Sequence, residues 1–75
     1  MQKELKNYIN TNIIKIRELV FKSNKNVDDL PYLWNTYDFI DLMPTQEGID
    51  LIKKENNNNF KEIGSYIKNL IKERS

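Results

Sequence analysis

Leu5, Tyr8, Ile9, Ile13, Ile16, Leu19 and Val20 recur at helical spacing. At about 100° per residue they fall within one arc of roughly 140°, which predicts an amphipathic helix of about five turns. Ile14 and Phe21, seven residues apart, lie together on the opposite side among polar positions. A helix that is apolar on two sides is buried on two sides. These two residues therefore predict cover from two other helices or from a second subunit. The β-branched run from Ile13 to Phe21 also fits a strand, the competing assignment for this stretch.

Ser23 to Val27 is polar and basic and breaks the pattern. Asp28 or Asp29 can then cap a second helix whose first turn tolerates Pro31, because an amide at that position has no intrahelical partner. This helix is predicted to run to about Met43. Leu30, Leu33, Trp34, Tyr37 and Ile40 form its main stripe, widened by Tyr32, Phe39 and Met43, and Pro44 ends it. Thr45 offers the next cap, with Glu47 at the positive end of a short helix reaching about Glu55 and carrying Ile49, Leu51 and Ile52. Asn59 and Glu62 stand in a capping-box arrangement before Phe60, Ile63, Ile67, Leu70 and Ile71, the cleanest apolar stripe in the chain. Gly64 sits at its edge, either allowing another helix to approach closely or costing about 1 kcal/mol of helix propensity.

The pattern as a whole predicts one all-α domain over residues 1–75, of three or four helices, with the first and last antiparallel and the aromatic helix packed across them. A chain of 75 residues buries only about 60 to 65% of its unfolded surface, which leaves stability marginal. With neither Cys nor His, it has no disulfide and no ordinary structural zinc site. Oligomerisation is the remaining common staple, and a homodimer through Ile14 and Phe21 is the expectation. No stretch approaches the roughly 20 apolar residues of a membrane span, and polar residues interrupt the N-terminus too often for a signal peptide. These features predict a cytoplasmic, soluble protein. Lys outnumbers Arg ten to two, Asn occurs eleven times, and Ala is missing. That bias reads as the codon footprint of an AT-rich genome, and it makes the Asn56 to Asn59 run a solvated loop before a functional tract.

Charge changes the picture most. From Met1 to Asn26 the balance is +4, from Val27 to Asp50 it is −6, and from Leu51 to Ser75 it is +3, within a total of +1. Two oppositely charged surfaces can steer and orient a partner, another copy of the chain included, where a mixed surface cannot.

Little in the chain can carry catalysis. Ser23, Ser65 and Ser75 have no imidazole to activate them, and Gly48 and Gly64 stand too far apart to build a phosphate-cradling loop. The carboxylates Asp38 and Asp41, or Asp28 and Asp29, read as solvated pairs before a catalytic or cation-binding set, and no calcium-loop spacing is present. Neither a metal nor a cofactor is expected. The acidic middle reads more sharply as a protein-binding surface of Tyr32, Trp34 and Phe39 among Asp28, Asp29, Asp38 and Asp41, since aromatics ringed by charge resemble an interaction hot spot. Trp34 and Tyr37 lie on the main stripe and read first as core. Tyr32 and Phe39, off its centre, are the stronger interface candidates.

The competing reading places nucleic acid on the C-terminal helix. Lys61, Lys68 and Lys72 fall within about 40° of one another beside Ser65, so three ammonium groups and a hydroxyl can track phosphates. Base readout prefers Arg, Asn or Gln on a recognition helix, and Arg17 and Arg74 are the only arginines. A membrane surface is disfavoured, because the lysine stripe flanks the apolar face instead of opposing it. The expectation is thus a non-enzymatic regulator or inhibitor that binds a protein partner, an accessory protein of a phage, plasmid or chromosome. Nucleic-acid binding and a structural subunit of a larger assembly are the alternatives.

Overall fold

A computed structural model describes residues 1–55 and 59–74 of the chain. Asn56 to Asn58 and Ser75, on which parts of the loop and nucleophile readings fall, lie outside the described residues. Among those described, six helical elements and no strand are found: α1 (Lys3–Thr11), α2 (Ile13–Lys22), a 3-10 helix (Val27–Tyr32), α3 (Thr36–Ile40), α4 (Gln46–Lys54) and α5 (Phe60–Glu73). The Ile13 to Phe21 stretch is therefore helical.

The long first helix is broken at Asn12. Its backbone amide and its side-chain Nδ2 both donate to the Tyr8 carbonyl, at 3.0 and 2.9 Å, while its own carbonyl accepts from Ile16 N at 2.9 Å. Asn competes for backbone partners in this way, which is why it interrupts a helix that the hydrophobic period carries straight through. The inward face survives the break: Leu5, Tyr8, Ile9, Ile13, Ile16 and Val20 are buried, with Leu19 half-buried. α2 ends with Asn24 in the left-handed region at φ 58°. Lys25 N donates to Val20 O and Asn24 N to Phe21 O, both at 3.2 Å, the paired bonds of a Schellman cap.

The predicted helix from Asp28 to Met43 does not form as one piece. Pro31 has no amide and opposes α geometry at Leu30, and the segment becomes a 3-10 helix followed by extended backbone at Leu33 (ψ 134°) and Asn35 (ψ 126°). Two asparagines act as local caps. Asn26 Oδ1 accepts from Asp28 N and Asn35 Oδ1 from Tyr37 N, each at 2.9 Å, the Asx geometry that competes with a continuing helix. The interruption resets the phase of every side chain beyond it. Phe39 turns inward, fully buried against Phe60 with ring centroids 4.9 Å apart, and Leu42 and Met43 complete that side of the core.

α5 is the central element. The 3-10 helix packs along it with Leu30 and Pro31 over Gly64, where an added Cβ would overlap the Leu30 carbonyl and come within 2.9 Å of Pro31 Cα. Close approach, not a neutral propensity cost, is the reason for glycine there. Asp28 reaches Lys68 and Lys72 while Leu30 lies over Gly64, so the 3-10 helix runs antiparallel to α5. The first and last helices do not. Met1 pairs with Glu62, Asn10 donates to the Tyr66 hydroxyl, and Ile13 shares a cleft with Ile71. Contacts that advance together along both chains make α1 and α2 parallel to α5, against the antiparallel expectation.

α4 packs antiparallel to α1. The Tyr8 hydroxyl bonds Thr45 Oγ1 at 2.7 Å and accepts from Thr45 N at 3.2 Å, and the Tyr8 ring covers Gly48. Thr45 therefore stands at the cap position but gives its hydroxyl to Tyr8. The Asn59–Glu62 capping box is likewise undone. Asn59 donates to Glu55 Oε2 at 2.9 Å, and Glu62 takes the Met1 ammonium at 3.2 Å. Glu55, the buried charged residue of the described set, also accepts from Gln2 N at 3.1 Å. The radius of gyration of 10.7 Å matches the about 11 Å of a compact domain of this length, so the core closes within one chain.

Candidate protein-binding surface

The break between the 3-10 helix and α3 builds the surface. Leu33 packs on the core from extended backbone, and side chains alternate across such backbone, so its neighbours Tyr32 and Trp34 face outward. Asn35 then starts a helical turn that puts Tyr37 out and Phe39 in. Tyr32, Trp34 and Tyr37 are 75, 79 and 74% exposed. Phe39 was expected at the interface, but it lies wholly in the core and has no face to offer a partner. Tyr37, expected in the core, joins the surface instead. Trp34 likewise leaves the buried stripe on which its spacing placed it and is exposed. Asn35 was the sequence signal for this exchange, since it is a helix-starting residue in the middle of an assumed helix.

Asp28, Asp29 and Asp41 are exposed and Asp38 is half-exposed. Their charges are not equally available. Lys72 Nζ lies 2.6 Å from Asp28 Oδ1 and Lys68 Nζ 3.9 Å from the same oxygen. The hydrogen bond from Lys72, then its charge, and more weakly that of Lys68, hold the Asp28 carboxyl below its ordinary range against a small opposing effect of desolvation. Lys25 lies 3.7 Å from Asp38. Among the described residues, Asp29 and Asp41 have no ion pair. The acidic segment is thus partly neutralised within its own chain, and so is the lysine stripe. Lys68 and Lys72 face Asp28, and Lys61 stands exposed a turn and more away.

A second surface lies on α2. Ile14 is 67% and Phe21 56% exposed, and no helix among the described residues covers them. Arg17 lies over the Phe21 ring at 5.6 Å. Beside them a cleft of about 190 Å³ is lined by Ile13, Ile14, Ile71, Arg17 and Arg74. A broader, open cleft of about 360 Å³ is lined by Glu4, Asn7, Tyr8, Thr11, Asn12 and Glu47. Its Tyr8 hydroxyl is already committed to Thr45.

No three His, Cys, Asp or Glu side chains converge as metal ligands among the described residues, and no helix among them is long and apolar enough to cross a membrane. Fold and surface together define a small all-helical domain with two exposed apolar patches of opposite charge. The chain matches no protein family, no curated protein and no solved structure.

Proposed function

We propose that this protein is a non-enzymatic regulator or inhibitor that binds a protein partner through Tyr32, Trp34 and Tyr37 on the acidic segment. The observation that carries this reading is three large aromatic side chains, each about three-quarters exposed, within six residues. Exposed apolar patches of that kind mark interaction sites, and Trp and Tyr dominate binding energy where they occur at interfaces. Burying about 150 Å² on each ring is worth roughly 11 kcal/mol in total before costs. Association itself costs about 4 to 15 kcal/mol, so the three rings supply a large part of the gross energy that a specific contact needs. Asp29 and Asp41 beside it favour a basic partner surface. Lys68 and Lys72 already face Asp28, which weakens the nucleic-acid alternative.

The test is retention of partners from a lysate on immobilised wild-type protein and on a Tyr32→Ala/Trp34→Ala/Tyr37→Ala variant, with circular dichroism confirming that both are folded. Loss of a specific captured protein in the variant supports the reading. Identical capture by both overturns it. Binding to duplex DNA that falls steeply with salt, and with charge reversal at Lys61, would favour the lysine stripe instead.

A further inference from the structure

The cleft on α2 and α5 complements the acidic patch in charge, size and chemistry. Both arginines of the chain line it, and among the described residues no carboxylate lies within ion-pair distance of either. The Arg17 guanidinium carbon lies 5.6 Å from the Phe21 ring centroid, and a guanidinium recognises aromatic faces by cation–π and stacking contacts. A surface cleft of about 190 Å³ lined by Ile13, Ile14 and Ile71 holds the six-membered ring of an aromatic side chain, since a cavity of about 150 Å³ accommodates benzene, and its open side leaves space for the rest of a larger ring system. The acidic patch offers such a ring in Trp34, 79% exposed, with Asp29 and Asp41 likewise lacking ion pairs among the described residues. Within one chain the two surfaces do not meet, because Tyr32, Trp34 and Tyr37 are all uncovered.

We infer that the cleft receives Trp34 of a second copy of this chain, with that copy's Asp29 and Asp41 facing Arg17 and Arg74. This rests on the reading of the aromatic patch as a protein-binding surface, and it names one occupant for it. Because the two surfaces differ, the contact is heterologous. Two copies related by a twofold axis make it twice and close as a dimer, a threefold or higher rotation closes it as a ring, and a rotation that does not close leaves an open chain. Ile14, an exposed residue of the cleft lining, is covered by the incoming ring.

The experiment is sedimentation equilibrium from micromolar to millimolar concentration on the wild type, on Trp34→Ala, on Arg17→Glu/Arg74→Glu, and on an equimolar mixture of the two variants. Far-UV circular dichroism checks that each is folded. The wild type is expected to associate reversibly, less so at high salt, with a blue shift of Trp34 emission. Each variant alone should associate at least about tenfold more weakly. The mixture should recover a one-to-one pair, because the intact acidic patch of the arginine variant meets the intact cleft of the Trp34 variant. A wild type that stays monomeric, a Trp34→Ala variant that associates as the wild type does, or a mixture that fails to pair overturns the inference. If it falls while the triple-alanine variant still loses a captured protein, only the second copy as occupant is wrong. If capture is also unchanged, the protein-binding reading falls with it.

Discussion

Lys72 Nζ on α5 lies 2.6 Å from Asp28 Oδ1 on the 3-10 helix, so the basic C-terminal segment and the acidic middle of the chain meet within one molecule. That pairing joins the two elements that pack most extensively against each other, and it sits at the opposite end of their contact from Gly64. It also gives folding a pH dependence. The folded Asp28 carboxyl titrates below its unfolded value, held down first by the Lys72 hydrogen bond. Its stabilising contribution is therefore fully present above the unfolded value of about 3.9 and is lost as pH falls through the lower folded value. Asp28→Asn should lower the melting temperature at neutral pH, and the difference from wild type should close in acid. Thermal unfolding across pH 2 to 7 measures it, and a constant difference would assign the loss to packing instead of charge.

Gly64→Ala should destabilise the fold by about 1 to 3 kcal/mol, the range for overpacking, despite a helix-propensity gain of about 1 kcal/mol. The obstacle is the backbone of Leu30 and Pro31, which cannot step aside without moving the 3-10 helix. At Gly48 the obstacle is the Tyr8 ring. Ala there should cost less, about 1 kcal/mol, mostly by disturbing the bond to Thr45. Urea denaturation of the two variants ranks them, and the reverse order would show that α5 and the 3-10 helix are free to separate.

Asn24 holds the left-handed position of the cap after α2. A β-branched residue there meets the steric cost of about 1 to 2 kcal/mol that left-handed backbone imposes on L-residues. Asn24→Val should lower stability by about that amount, whereas Asn24→Gly should equal or slightly exceed the wild type. Equal melting temperatures for Val and Asn would mean that the cap opens at no cost.

Two aromatics only five residues apart should behave in opposite ways. Trp34→Ala removes an exposed ring and should change stability by no more than about 0.5 kcal/mol. Phe39→Ala empties the contact with Phe60 and should cost about 3 to 5 kcal/mol. Chemical denaturation decides between them, and acrylamide should quench the emission of folded Trp34 almost as well as that of the unfolded chain.

The amphipathic periods over residues 3–22, 46–54 and 60–73 were legible because helical spacing is a local property, and each stretch alternates apolar with polar positions clearly enough to define one inward face. The segregation of charge, and the position of Ile14 and Phe21 away from the main face, could be read in the same way. The segment from Leu30 to Ile40 could not. Leu30, Tyr32, Leu33, Trp34, Tyr37, Phe39 and Ile40 are so densely apolar that several helical phases bury some of them equally well, and only the cap at Asn35 hints at the break. Tertiary contacts chose among those phases. The Leu30 backbone fits over Gly64 and Phe39 fits beside Phe60, which leaves Tyr32, Trp34 and Tyr37 outside. The same holds for the polar groups whose local roles were displaced: Thr45 bonds Tyr8, Glu62 takes the Met1 ammonium, and Asp28 takes Lys72. A side chain's hydrogen-bonding capacity is set by its type, but its partner is set by whatever distant group the packed core brings within reach. The sequence by itself thus determined helical content, the face of each regular helix and the sign of each segment's charge. Helix direction, the pairing of acid with base and the identity of the exposed aromatics were decided by the three-dimensional packing of the chain.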